Sequence, residues 1–600
     1  MMIRVADYIA SFFAEKGCRH VFMVTGGGAM HLNDAFGRES RLKIVCNHHE
    51  QACAVGAEGY MRVGGTPAVV CVTTGPGGTN ALTGVLGQWL DSIPAIYVSG
   101  QVRFDTTVAS TGLALRQLGD QEANIVELVK PITKYAVMVT DPKTIRHHLE
   151  KAWKLALSGR PGPVWLDVPL NVQAAQIDPL ELSAMDAGGD AAGCGEDLGG
   201  VLDEVVRRMK EARRPVLLVG AGIRLAGAMG EMKNLMNQLG FPVQVAWDAI
   251  DLVATDHPLY AGRPSTVGQR AANFIFQNSD FLLSIGCRLN VRQIGYTFAA
   301  VARAAYKVVV DIDAEELKKP TIKIDLPICV DAKVFMRELA AKVEGAGIAV
   351  PPEWIGWCQE RLRRYPPVSV DQYRDHPLNP YAFSERLSQK LMPADVIVSS
   401  NGSSCVIPIQ TMEIKEGQRH IVNSGCASMG YGLPAAIGAC FGNPESRVIC
   451  LEGDGSIQMN IQELQTVVHH QLPLKIFVFN NNGYLSIHST QKNFFAGNFV
   501  GESPQSGVSF PDMVRLAQAY GIPAFRMERL ADLEQLDDIL DRPGPCLCDV
   551  VVDVEQAFEP RIASRRLADG KMVSSPLEDM YPFLDREEFL SNMIIAPWEA

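Results

Sequence analysis

The sequence predicts an α/β protein built from three doubly wound parallel-sheet domains, and three observations carry that prediction. Residues 448–491 read as one βαβ unit. An apolar run, Val448–Leu451, meets the polar glycine turn Glu452-Gly453-Asp454-Gly455-Ser456; Met459, Leu464, Val467 and Val468 then recur at helical spacing, and a second run, Leu474–Phe479, ends in Asn480-Asn481-Asn482-Gly483. The first 180 residues repeat the same rhythm of strand, glycine turn and helix. Between 200 and 345, three further β-rich runs around Leu217, Leu283 and Val309 each end in glycine or aspartate. A chain of 600 residues exceeds one hydrophobic core and has room for three or four domains.

In chain order, Val5, Ile9, Phe12 and Phe13 mark an amphipathic helix that Gly17 stops. HVFMVTGGGA follows as strand and glycine turn, with His31 just beyond it, and LKIVC is the second strand. Glu50 opens a helix of small residues that ends at Gly64-Gly65. Residues 67–101 give strand, the turn Thr73–Asn80, helix and strand. Residues 180–200 are rich in Gly, Ala and Asp without a period, as in a linker. The second domain spans 200–345. Its Gly220-Ala221-Gly222 turn lacks the third glycine and the clear acid of a dinucleotide fingerprint. Two proline pairs and an arginine-rich face, 346–376, form the next connection; the third domain runs from 377 to 555, and residues 556–600 are an irregular apolar tail in need of a surface.

Composition excludes several classes. With 47% apolar and 20% charged residues the chain reads as globular and soluble. A net charge of -12 without a dense Lys/Arg run argues against a nucleic-acid partner. Fourteen cysteines, scattered singly and often inside apolar runs, suggest core residues in a reducing cytoplasm and not a zinc site. The amino-terminal helix is too charged for a secretion signal, and no apolar stretch reaches the length of a membrane span.

Parallel geometry brings both turns of the 448–491 unit to the carboxyl edge of the sheet, so Asp454 and Asn481 become neighbours. A carboxylate, an amide oxygen and a backbone carbonyl are hard ligands suited to Mg²⁺, and the turn offers N–H groups to a phosphate. The constellation therefore reads as a Mg–diphosphate site. GDGS followed by the NN pair resembles the signature of thiamin-diphosphate-dependent enzymes, and the surrounding residues are most similar to the acetolactate synthase branch. The resemblance implies that Asp454, Asn481 and the carbonyl of Gly483 hold Mg²⁺, with Gly453, Gly455 and Ser456 around the diphosphate. Glu50, the Thr73–Asn80 turn with Thr74 and Gly75, Asp91–Pro94 and Gly100-Gln101 resemble the pyrimidine-binding domain. There Glu50 would bond the cofactor's aminopyrimidine, in a poorly hydrated site where a carboxyl holds a proton, and Met429 would prop the cofactor into a bent shape. His49 reads equally as a proton relay or a packed neighbour.

Further implications follow from the same resemblance. The central domain is expected to bind FAD near Gly220, Gly222, Arg263, Gly286, Arg288, Asp311 and Asp313, the alternative being a spacer domain. The tail is expected to cover the active-site mouth or to pack on a neighbouring subunit. Each site would take Glu50 from one chain and Asp454 from another, so a homodimer or homotetramer acting on small molecules is implied. Glu50, His31 and Gln121 are the catalytic candidates. Where the synthases carry Phe-Gln-Glu this chain has Asp120-Gln121-Glu122, and Gln491 stands where a tryptophan is expected, with His488 nearby. Asp120, His488 and Gln491 suggest a polar acceptor pocket, since buried polar groups must be paired. That favours the flavin-containing carboligases that add an acetyl unit from pyruvate to a nucleotide-linked keto-deoxysugar. Acetolactate synthase and a cyclic 1,2-dione hydrolase are the alternatives; a non-catalytic relative is disfavoured because Glu50 and the metal pair are both present.

Overall fold

The computed structural model describes residues 2–185, 198–566 and 572–598, so most of the expected linker, 186–197, lies outside the described residues. The amino-terminal sheet has six parallel strands: β1 (His20–Met23), β2 (Lys43–Cys46), β3 (Val69–Val72), β4 (Ala95–Gln101), β5 (Tyr135–Met138) and β6 (Pro163–Pro169), in the order β2-β1-β3-β4-β6-β5. The central sheet has five: β7 (Pro215–Val219), β8 (Val243–Val245), β9 (Phe281–Ile285), β10 (Tyr306–Asp311) and β11 (Leu326–Cys329), in the order β8-β7-β9-β10-β11. The carboxyl-terminal sheet is formed by β12 (Val396–Ser399), β13 (Arg419–Ile421), β14 (Val448–Gly453), β15 (Leu474–Asn480), β16 (Ala524–Met527) and β17 (Cys546–Val551). Its order, β13-β12-β14-β15-β17-β16, repeats the connectivity of the first sheet. The inner strands are buried on both faces, which is why they read as continuous apolar runs, whereas the edge strands β2, β5 and β16 are partly exposed. Among the described residues no helix is long and apolar enough to cross a membrane.

The expected helix after the 454–456 turn begins later than its spacing suggests. Ile457–Met459 and Ile461–Glu463 are 3₁₀ turns, and the α-helix is Leu464–His469. Side chains in the 3₁₀ stretch are spent on tertiary bonds: the Asn460 amide donates to Gly430 O at 2.8 Å, and Glu463 reaches the amino-terminal domain.

The first and third domains meet helix to helix. The Glu50–Gly64 helix crosses the Gly432–Gly442 helix at backbone contact. A Cβ on Gly59 would lie 2.0 Å from Ala435 O, and one on Gly438 1.8 Å from Gly56 O. Beside the crossing, the buried Glu58 carboxylate accepts from Arg62 Nε at 2.8 Å and from Asn423 Nδ2 at 3.0 Å, while Arg62 Nη2 reaches Asp91 at 2.8 Å. At its far end His20 packs on Tyr60 and Phe441, and Phe441 on His470, with ring centroids 5.1–5.3 Å apart. Burial, with smaller contributions from Lys43 and His470, pushes the His20 pKa down to about 4.

From Leu577 onward the tail lies on the central domain. Leu577, Met580 and Phe589 are buried. Arg303 and Gln277 bind Glu578, and Asn278, at the end of the Arg270–Asn278 helix, donates to Asn592 O at 3.0 Å and accepts from Ile594 N at 2.7 Å.

Gly59→Ala should destabilise the chain by about 1–3 kcal/mol in urea melts, because the added methyl meets backbone that has no room to yield. Gly37→Ala, on a helix face with nothing near the new Cβ, should be neutral or slightly stabilising. His20 also predicts acid sensitivity. Its folded pKa lies below its unfolded value, so the unfolded chain takes up the proton first and stability falls as pH drops from near 6.5 towards 4, by at most about 1.4 kcal/mol per unit. Melts at pH 7 and 5 should show that His20→Phe removes part of this loss.

Candidate active site

The carboxyl edge of the third sheet carries one half of the site. Register places Gly453 opposite Phe479, and Asp454 N donates to Phe479 O at 3.2 Å, so the 454–456 and 480–484 turns lie side by side. Asp454 is 2% exposed; one carboxylate oxygen accepts from Gly455 N at 2.8 Å and the other from Gly483 N at 3.3 Å. Among the described residues no Lys, Arg or His pairs with it, and burial pushes its pKa up to about 7. A carboxylate held this way lacks one thing, a cation. The neighbouring Asn481 amide makes no hydrogen bond among the described residues and lines a cavity of about 650 Å³. A free amide oxygen, a buried uncompensated carboxylate and turn carbonyls fit Mg²⁺ with a diphosphate completing the shell.

Close backbone packing fixes the two turns. A Cβ on Gly455 would strike the Tyr484 ring at 2.2 Å, and one on Gly483 would meet Glu502 O at 2.4 Å. Ser456 Oγ bonds Ser400 Oγ at 3.0 Å and accepts from Gly430 N at 2.9 Å, tying the half-buried Met429 turn to the diphosphate turn.

The second half lies in the first domain. Glu50, 8% exposed, is the first residue of its helix, and one oxygen accepts from Asn80 Nδ2 at 3.0 Å. His49 caps this helix, its Nδ1 accepting from Gln51 N at 3.1 Å. Thr74 Oγ1 donates to Gln101 Oε1 at 2.6 Å and approaches Gln121 O at 3.3 Å. Gly75 is left-handed at φ 61°, and a Cβ there would lie 2.4 Å from Gln121 O, so only glycine admits the 119–122 loop. The side chains of Asp120 and Gln121 are exposed; His31 is half-buried on the Met30–Arg38 helix. The 650 Å³ cavity beside Asn481 takes its walls from residues 481–506 and 554–555 and nothing from the first domain, so a chain's own Glu50 does not border it.

His488 lines that cavity, hydrogen-bonded to Glu502 at 3.0 Å and stacked on Phe499 with centroids 4.6 Å apart. Glu502 was invisible in the sequence because it lies 14 positions past His488 in a loop without a motif. Gln491 spends its amide on its own loop, donating to Val500 O at 3.0 Å and accepting from Val500 N at 2.9 Å.

In the central domain a cavity of about 340 Å³ opens at the carboxyl ends of β7, β9 and β10, lined by Gly222, Gly286, Arg288 and Asp311, with Arg160 from the first domain. Gly220 packs against Gly286 O behind it. Asp313 instead binds Arg160 at 2.9 Å. Arg263 is not a cavity residue: its buried guanidinium donates to Ile409 O and Met412 O, both at 2.7 Å, and joins the central to the third domain.

Three family models match the chain: the N-terminal TPP binding domain of thiamine pyrophosphate enzymes at residues 3–126, the central domain at 202–339 and the C-terminal TPP binding domain at 400–550. The chain belongs to the thiamine pyrophosphate enzymes. Its cofactors are thiamin diphosphate and Mg²⁺, and it is a carboligase-type enzyme that decarboxylates a 2-oxo acid. It is 32% identical to acetolactate synthase of Arabidopsis thaliana over 575 residues, 93% of this chain and 83% of that one. It is 30% identical to the isozyme 1 large subunit of acetolactate synthase from Escherichia coli (93% and 95% covered), and 30% identical to a probable acetolactate synthase large subunit of Methanocaldococcus jannaschii (92% and 92%).

These relatives overturn the resemblance to carboligases of nucleotide-linked keto-deoxysugars. Gln491, expected to face the acceptor, instead has both ends of its amide engaged by Val500.

Asp454→Asn should weaken Mg²⁺-dependent cofactor retention at least about tenfold in calorimetric titration. In EDTA the variant's melting temperature should equal or exceed that of the parent, because the uncompensated buried charge is gone.

Proposed function

We propose that the enzyme decarboxylates pyruvate and joins the two-carbon unit to a second 2-oxo acid, as an acetolactate synthase. The observation that carries this reading is the match to acetolactate synthases over 93% of the chain, with the Glu50 and Asp454 half-sites both intact. Bound thiamin diphosphate supplies the nucleophilic carbon and the electron sink that loss of carbon dioxide requires. Asp454, the Asn481 side-chain oxygen and the Gly483 carbonyl would hold Mg²⁺, the Gly453–Ser456 turn would offer its N–H groups to the diphosphate, and Met429 would support the cofactor. Glu50, oriented by the hydrogen bond from Asn80, would bond the aminopyrimidine and pass protons to and from it. Gln121, His31 and Asp120 would serve the acceptor side, together with His488, whose ring Glu502 orients.

The walls of the Asn481 cavity support a shared site, in which Glu50 comes from a second copy of the chain, making a homodimer the smallest active unit. The central cavity would suit FAD, with Gly222, Gly286, Arg288 and Asp311 at the strand ends as the residues that would hold it.

Purified protein with thiamin diphosphate, Mg²⁺ and pyruvate alone should release carbon dioxide and accumulate acetolactate, seen by mass spectrometry. Pyruvate consumed without acetolactate would overturn the acceptor, and pyruvate untouched would overturn the donor. Glu50→Gln should lower kcat by about 10²-fold or more.

A further inference from the structure

From the bonds that Glu463 makes across the domain boundary, we infer that it is a positioning residue for Glu50. Glu463 closes the Ile461–Glu463 turn and is fully buried. Its carboxylate accepts three hydrogen bonds. Oε2 takes one from Asn47 Nδ2 at 2.8 Å and one from Thr466 Oγ1 at 2.7 Å; Oε1 takes one from the backbone N–H of His48 at 2.9 Å. Two of these donors stand 416 and 415 positions away, in the first domain. They belong to the short segment that leads straight into Glu50.

That segment is fixed at three successive points. Asn47 N bonds Met23 O at 3.1 Å, at the end of β1. Glu463 then takes the Asn47 side chain and the His48 backbone, and His49 caps the helix whose first residue is Glu50. The backbone two residues before Glu50 is therefore set by a residue of the other cofactor-binding domain. Simple adhesion would not require a carboxylate. The helix crossing at Gly59 and Gly438 already joins the domains, and a buried carboxylate without a cation is costly unless its donors are placed for it. Asn47 Oδ1 is itself buried without a partner among the described residues, so the amide is held in one orientation at a cost. Such directional bonding fixes where the Glu50 helix starts, and hence the height of its carboxyl beneath Asn80.

Asp454 and Glu463 are nine positions apart (463 − 454) on one connection. One end of it faces the metal site, and the other sets Glu50. The inference rests on the reading of Glu50 as the proton-holding group, and its test separates the two.

The test uses Glu463→Gln, which keeps the shape but cannot accept at every position. In the cofactor-free protein, amide hydrogen exchange over residues 47–53 should accelerate at least about tenfold while the rest of the first sheet is unchanged. In the loaded protein, exchange of the cofactor's C2 proton for deuterium should slow by about 10–100-fold, with Mg²⁺ affinity within about twofold of the parent. The double variant Asn47→Asp with Glu463→Gln exchanges acceptor and donor and should restore both readouts. Glu50→Gln is the control. If it abolishes C2 exchange while Glu463→Gln leaves C2 and amide exchange unchanged, the positioning role is refuted. If Glu50→Gln itself leaves C2 exchange unchanged, the reading of Glu50 fails instead. Should Glu463→Gln not fold, Asn47→Ala removes one of the three bonds and is read the same way.

Discussion

Two helices touching backbone to backbone set the geometry on which the rest depends. The Glu50–Gly64 and Gly432–Gly442 helices approach so closely that no side chain fits between Gly59 and Ala435 or between Gly438 and Gly56. One of them begins with Glu50; the other follows directly on the Met429 turn. The crossing therefore locks the residue expected to handle the proton and the residue expected to support the cofactor into one rigid frame. Around it the chain places its costliest groups: the buried Glu58, Arg62 and Asp91 of the first domain, which pair with one another and whose carboxylates also accept from Asn423, Ser424 and Gly425 of the third, and the fully buried Glu463, which accepts from Asn47 and His48 of the first. Close packing without side chains leaves little freedom for one domain to drift relative to the other.

The site shows two ways of handling buried charge. Glu463 and Glu58 are satisfied within the chain and do structural work. Asp454 is left short of a positive partner among the described residues, and burial raises its pKa to about 7. Function resides where the chain does not complete its own electrostatics. The Asn481 amide, equally unpartnered, lies beside the same gap.

Much of this was legible in the sequence, because strands buried on both faces announce themselves as apolar runs and because turns at the carboxyl edge need glycine. Val448–Leu451 and Leu474–Phe479 read directly as adjacent parallel strands, and Asp454 and Asn481 follow from that adjacency. What stayed hidden were choices of partner. Gln491 looks like a pocket residue until Val500 is seen to occupy both ends of its amide. Arg263, in a loop after a central-domain strand, looks like a nucleotide contact until its guanidinium is found on two carbonyls of the third domain. The helical spacing from Met459 is real, yet tertiary bonds from Asn460 and Glu463 hold that stretch in tighter turns. Contacts between residues 416 positions apart leave no periodic trace in one chain.

The placement of the tail has a consequence for synthesis. Glu578 is buried against Gln277, 301 positions earlier, and Asn592 against Asn278, 314 positions earlier. The helix that these residues cover is thus translated long before its cover exists. While the ribosome makes the entire third domain, the apolar surface beneath Met580 and Phe589 stands open to water, with only the bonds to Ala300, Ala302 and Phe274 holding the amides of Gln277 and Asn278. The first domain completes its contacts when the third arrives, whereas the second, though earlier in the chain than the third, is finished only when the tail is made.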